Sequence, residues 1–237
     1  MAEAVPPAQV EIPPRDGPAA QLFILLHGVG SNPESMLGLA EALRGAFPRA
    51  ALVAPEGFDR FDLGNSGRQW FSVRGIDEAN RPGRVATALP RLVQFIREQQ
   101  ERWKVFPNAT ALAGFSQGAI MALEAVAKHD GLGGRVLAFA GRYASLPGTA
   151  PDYTTIHLFH GGEDTVIPVS HANAALDHLA GMNGDVTLDI AHEVGHALHP
   201  VMIDLAIERL QNRVPLRSWQ RVLGAVIPPS ALRDEDQ

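Results

Sequence analysis

Thr110-Ala111-Leu112-Ala113-Gly114-Phe115-Ser116-Gln117-Gly118-Ala119-Ile120-Met121-Ala122-Leu123 is the stretch on which the fold turns. Its first four residues form a short, almost continuous apolar run, as a strand buried on both faces would. Its last five continue at helical spacing. Between them lies Gly-x-Ser-x-Gly, a turn too tight for side chains at the flanking positions. A serine on such a turn is held in a strained backbone conformation, with its hydroxyl above the sheet and at a helix N-terminus. That terminus favours the negative charge of a tetrahedral intermediate. Ser116 is therefore the candidate nucleophile.

Working outward, the same alternation recurs. Short apolar runs at Gln21–Leu26, Ala50–Ala54, Arg135–Ala140 and Thr155–Phe159 read as buried strands, and Val186–Ile190 alternates as a half-buried strand would. Asn32 with Pro33 starts one helix, carried on by Leu37, Ala40, Leu43 and Phe47. Residues 84–104, 117–128, 169–182 and 200–213 complete the helical set. Strand–helix alternation of this kind predicts an α/β fold, a mostly parallel central sheet with helices on both faces. Function in such sheets gathers at the carboxyl ends of the strands. Residues 57–83 form a long, glycine-rich loop of weak periodicity, the kind that often carries function.

The 237 residues suit one domain, with a core over about 20–213 and a C-terminal extension over 214–237. The extension reads as a short helix through Leu216, Trp219, Val222 and Leu223, followed by a disordered acidic tail. Hydrophobic residues make up 46% and charged ones 19%, ordinary for a globular protein. The net charge is −6 and the 20 basic residues are scattered, which argues against a nucleic-acid partner. The absence of cysteine excludes disulfides, thiolate catalysis and Cys-ligated metals. Residues 1–20 lack a basic segment followed by an apolar run, and no apolar run approaches the roughly 20 residues of a membrane span. A cytoplasmic monomer or homodimer is the expectation.

A serine hydroxyl needs a base, and the base an orienting carboxylate. In an α/β-hydrolase the order is Ser, then Asp or Glu, then His, each just after a strand. The run Thr155–Phe159 exits through His160-Gly161-Gly162-Glu163-Asp164, which puts Asp164 where the acid belongs and leaves Glu163 as its rival. Asp185 precedes a strand and Asp189 lies within one, so neither is placed to reach the base. The next strand exits into His192-Glu193-Val194-Gly195-His196-Ala197-Leu198-His199-Pro200. His192, His196 and His199 compete there. Spacing favours His196 without deciding for it.

The same stretch contains His-Glu-x-x-His, the zinc motif of metallopeptidases. That motif works on a helix, where both histidines share a face and the glutamate activates a bound water. Here it follows an alternating strand, carries Gly195, and would place Pro200 inside the helix. A metzincin would also need a glycine at 199 and a histidine at 202, where this chain has His199 and Met202.

The run Leu26-His27-Gly28-Val29-Gly30 closes the first strong strand. In an α/β-hydrolase this loop gives one oxyanion N–H and the residue after the nucleophile the other, hence Val29 and Gln117. Gln69-Trp70-Phe71 in the long loop is equally suited to a substrate pocket and to the core.

LFILLHGVG at 22–30, RQWFSV at 68–73, ALAGFSQGAIMAL at 111–123, LFHGGEDTVIP at 158–168 and GHAL at 195–198 stand in one order over residues 20–212. In these the chain resembles the phospholipase/carboxylesterase family of small α/β-hydrolases, which includes acyl-protein thioesterases. It is most similar to the family's small bacterial serine esterases. The resemblance implies Ser116 as nucleophile, Asp164 as acid and His196 as base, a substrate contact at Trp70, and neither metal nor cofactor. Ser31 departs from the aspartate that many members carry after L-H-G-x-G. The function implied is a serine carboxylesterase acting on small esters. Short acyl chains are expected because no large apolar lid stands out. Acyl-protein thioesterase or lysophospholipase activity is the alternative within the class. From other classes stand the zinc peptidase, with its context wrong, and a non-catalytic binding protein, disfavoured because all three triad positions are filled.

Overall fold

Leu22, Ile24 and Leu26 belong to one buried cluster, while Phe23 and Leu25 between them belong to another. A strand whose alternate side chains enter two cores must be covered on both faces. The computed structural model, which describes residues 9–216 and Ser218, shows how. Among the described residues, nine strands and five α-helices run β1 (Gln9–Ile12), β2 (Gln21–Leu26), α1 (Leu37–Ala46), β3 (Ala50–Pro55), β4 (Asp59–Arg60), β5 (Arg68–Gln69), α2 (Arg81–Trp103), β6 (Thr110–Phe115), α3 (Gln117–Lys128), β7 (Arg135–Phe139), β8 (Thr155–Gly161), α4 (Ser170–Gly181), β9 (Val186–Ala191) and α5 (Pro200–Asn212). The main sheet has the order β1-β3-β2-β6-β7-β8-β9. All its pairings are parallel except β1 with β3.

Leu89, Leu92 and Ile96 of α2, Ile120 and Leu123 of α3, and Leu179 of α4 pack on one face with Leu22 and Ile24. Leu39 and Leu43 of α1 and Met202 and Ile203 of α5 pack on the other with Phe23 and Leu25. Fully burying a side chain of this size contributes about 1.5–3 kcal/mol. The predicted α/β-hydrolase architecture is therefore the observed one.

Strand β1 departs from the sequence reading, which gave the N-terminal segment no strand. Its Val10 and Ile12 pack on the α1 face of the sheet. The helix expected from Asn32 begins as a 3-10 turn, Pro33–Met36, with the Asn32 Oδ1 accepting from the Ser35 amide at 3.2 Å. The long loop contains a two-stranded ribbon of β4 and β5. Arg68 of β5 also pairs with Ser31, joining the ribbon to the loop after β2. Beyond α5, the Leu216 amide donates to Asp185 Oδ2 at 2.9 Å. The rest of the expected C-terminal helix (Trp219, Val222 and Leu223) and the acidic tail lie outside the described residues. Among the described residues no helix is long and apolar enough to cross a membrane.

Candidate active site

Ser116 stands between β6 and α3 at φ 53° and ψ −114°, a left-handed conformation that L-residues rarely hold. Its neighbours explain the two glycines. A Cβ on Gly118 would overlap the carbonyl of Leu26, and one on Gly114 would overlap the backbone of Gly118 and Ala119. The strained turn is held by the Ser116 amide donating to the Phe139 carbonyl at 2.9 Å.

The carboxylate arrives from the exit of β8 and the imidazole from the exit of β9. These loops are laced together: the amides of Gly162 and Glu163 donate to the carbonyls of Ala191 and Val194 at 2.8 and 3.0 Å. Gly161 and Gly162 lie against the backbone of Val194 and His192, where side chains would not fit. Asp164 is buried, and its Oδ1 accepts from the amides of Val166 and Ile167 at 2.9 and 2.8 Å. Its Oδ2 accepts from His196 Nδ1 at 2.7 Å, and His196 Nε2 lies 2.9 Å from Ser116 Oγ. An ionised carboxylate only accepts, so Nδ1 carries the proton and Nε2 presents its lone pair to the serine hydroxyl. Burial opposes ionisation of Asp164. The hydrogen bonds from His196, Ile167 and Val166 outweigh it and hold the carboxyl below its ordinary range.

The competing residues lie elsewhere. Glu163 and His192 are exposed. Asp185 pairs with Arg213 at 3.0 Å and Asp189 with Arg209 at 2.7 Å. His199 caps α5, its Nδ1 accepting from the Val201 amide at 3.3 Å. The His192–His196 stretch is a turn, so its histidines do not share a helix face. Among the described residues no three His, Cys, Asp or Glu side chains are grouped to hold a metal.

Trp70 requires a correction. It is 1% exposed and its Nε1 donates to the His27 carbonyl at 2.8 Å. It thus lies beneath the loop after β2 as a support and does not face the open cavity as a substrate contact. Its amide donates to Gln117 Oε1 at 2.8 Å, and Gln117 Nε2 donates to the Phe71 carbonyl at 2.7 Å. The Gln117 side chain thereby clasps the long loop to the turn that bears Ser116, a role that its place in the motif did not suggest. His27 also acts from below. Its Nδ1 donates to the Gly28 carbonyl at 2.7 Å and its Nε2 accepts from the Gly57 amide at 2.8 Å, which requires the neutral ring. Burial pushes its pKa down accordingly.

Above these supports opens a cavity of about 290 Å³ beside Ser116 and His196, also lined by Gly28, Val29, Ser31, Ser35, Met36, Phe115, Val166 and Leu198. Gly30 donates its amide to the Arg68 carbonyl at 2.8 Å, and Arg68 returns one to the Ser31 carbonyl at 2.8 Å. Val29, the residue just before these anchors, lies at the cavity. Met36, Phe115, Val166 and Leu198 were not singled out from sequence, since apolar residues near a site look like any other core residues.

The family model described as phospholipase/carboxylesterase matches residues 7–213. The chain belongs to the phospholipase/carboxylesterase family. This family member is 47% identical over 214 residues to esterase YpfH of Escherichia coli strain K12, covering 90% of this chain and 91% of that one. It is 26% identical over 218 residues to acyl-protein thioesterase 1 of Eremothecium gossypii, covering 84% and 91%. Among solved structures, esterase PE8 superposes with a TM-score of 0.79 at 28% identity, covering 89% of this chain and all (100%) of the other. The family implied by the sequence motifs is thus the family found. It is a carboxylic ester hydrolase.

Proposed function

We propose that this family member is a serine carboxylesterase that cleaves short-chain carboxylic esters through an acyl-enzyme on Ser116. The observation that carries the reading is the unbroken chain from Asp164 Oδ2 through His196 to Ser116 Oγ, with links of 2.7 and 2.9 Å. In the proposed cycle Ser116 Oγ attacks the ester carbonyl as its proton passes to His196 Nε2. Asp164 holds the imidazole tautomer and stabilises the imidazolium. The oxyanion settles between the amides of Val29 and Gln117. Gln117 is the first residue of α3, so its N–H has no carbonyl one turn back and is available to an anion. His196 then protonates the leaving alcohol. Water repeats the attack with His196 as base, releasing the acid.

A cavity of about 290 Å³ supports short acyl groups, since it falls at the small end of ligand pockets, which run about 300–1,000 Å³. The likeness to an acyl-protein thioesterase favours one second reading, thioester hydrolysis, which would use the same acyl-enzyme. Ser116→Ala should lower turnover of p-nitrophenyl acetate by about 10⁴-fold or more and abolish labelling by a fluorophosphonate. Activity retained by that variant sinks the mechanism. Matched esters and thioesters of one acyl chain separate the two readings.

A further inference from the structure

Met36 borders two spaces. On one side it lines the cavity that holds Ser116 and His196. On the other it closes a narrow apolar crevice, with no room for a water molecule, between Val10, Ile12, Leu25, Ala40 and Leu52. The side chain is 1% exposed and ends the 3-10 turn that Asn32 caps, so its backbone is fixed. Methionine is unbranched and adapts to irregular gaps, which suits a wall packed from both sides. No charged group lines the crevice, and its walls extend the apolar surface that begins in the cavity.

We propose that Met36 is a specificity-determining residue that stops the acyl chain at the end of the cavity. This rests on the esterase reading above. The apolar lining around an acyl chain on Ser116 Oγ comes from Val29, Met36, Phe115, Val166 and Leu198, and of these only Met36 also borders the crevice. Shortening Met36 joins the cavity to the crevice. Loss of Cγ, Sδ and Cε leaves space for about as many chain carbons, walled by Leu25, Ala40 and Leu52. The strand β1 contributes as the outer wall of that crevice through Val10 and Ile12.

The test measures kcat/KM for p-nitrophenyl acetate, butyrate, hexanoate and octanoate with the wild-type chain and with Met36→Ala, Met36→Leu and Met36→Phe. Each further methylene buried contributes about fourfold, or about 0.8 kcal/mol. Met36→Ala should therefore raise the hexanoate-to-butyrate ratio by about 15-fold over wild type. Met36→Leu, which conserves volume, should keep the wild-type order of preference, and Met36→Phe should move it toward acetate. Parallel profiles for wild type, Ala and Phe variants overturn the proposal while leaving the esterase reading intact. Should Met36→Ala fail to fold, the Phe variant against the Leu variant decides, and a shared profile overturns the proposal. A wild-type chain that cleaves none of the esters and takes no fluorophosphonate at Ser116 overturns the esterase reading itself.

Discussion

Asp164 divides its two oxygens between two tasks. Oδ1 is fixed by the amides of Val166 and Ile167, which orients Oδ2 at His196 Nδ1. An amide in its place could keep the loop contacts through its oxygen but would present N–H to Nδ1. The ring would then have to carry its proton on Nε2, facing Ser116, where the proposed cycle needs a lone pair. Asp164→Asn should lower kcat/KM for p-nitrophenyl acetate by about 10³- to 10⁴-fold. Its circular dichroism should match that of the wild-type chain. Residue identity made Ser116 and Asp164 legible, because the strand exits that bear them are marked by glycines that only a crowded backbone requires. His196 was less legible. Three histidines share its loop, and the bond that distinguishes it spans 32 residues to Asp164. Trp70 was misplaced for a similar reason: an indole suits a pocket or a core, and only its bond to the carbonyl of His27, 43 residues away, decides.

The elements were legible where they are buried on both sides. The runs at β2, β3, β6, β7 and β8 need no alternation because each face meets a helix layer. Strand β1 was missed because Gln9-Val10-Glu11-Ile12 offers two apolar residues in a proline-rich segment, and its pairing with β3 is antiparallel at the sheet edge. The β4–β5 ribbon has two residues per strand, too few to show any period. At this scale the junction of β2 with α3 invites a test. Gly118 sits where a methyl group would overlap the Leu26 carbonyl. Both elements are central, so neither can yield without disturbing the sheet. Gly118→Ala should cost more than about 4 kcal/mol in urea unfolding or prevent soluble expression. A variant with an unchanged urea midpoint would mean that α3 shifts freely against β2.

The whole sheet carries different chemistry at its two ends. The carboxyl ends hold Ser116, Asp164 and His196, while a buried polar group lies toward the amino ends of β8 and β9. There His157 bonds Thr187 Oγ1 at 2.8 Å, and Thr155 and Arg213 bond Asp185 at 2.7 and 3.0 Å. Burial pushes the His157 pKa down to about 3; Arg135, Arg209 and Arg213 push the same way and Asp185 opposes them. Burial also lowers His160 and His27. The unfolded chain takes these protons near the ordinary histidine value of about 6.5, well before the folded chain does. The stability that these neutral histidines contribute is therefore full above about pH 6.5 and is lost as pH falls from there toward 3. Urea midpoints between pH 7 and pH 4 should decline, and His157→Asn should flatten the decline; an equally steep decline in the variant would remove His157 as a cause. The clasp that Gln117 makes on the Trp70 amide and the Phe71 carbonyl ties a loop more than twenty residues long to the centre of the sheet. Hydrogen exchange should register it. Loops of that length normally trade their amide protons for deuterium through small local openings. The Trp70 amide should trade its own as slowly as the amides of β6, so that the loop keeps time with the core.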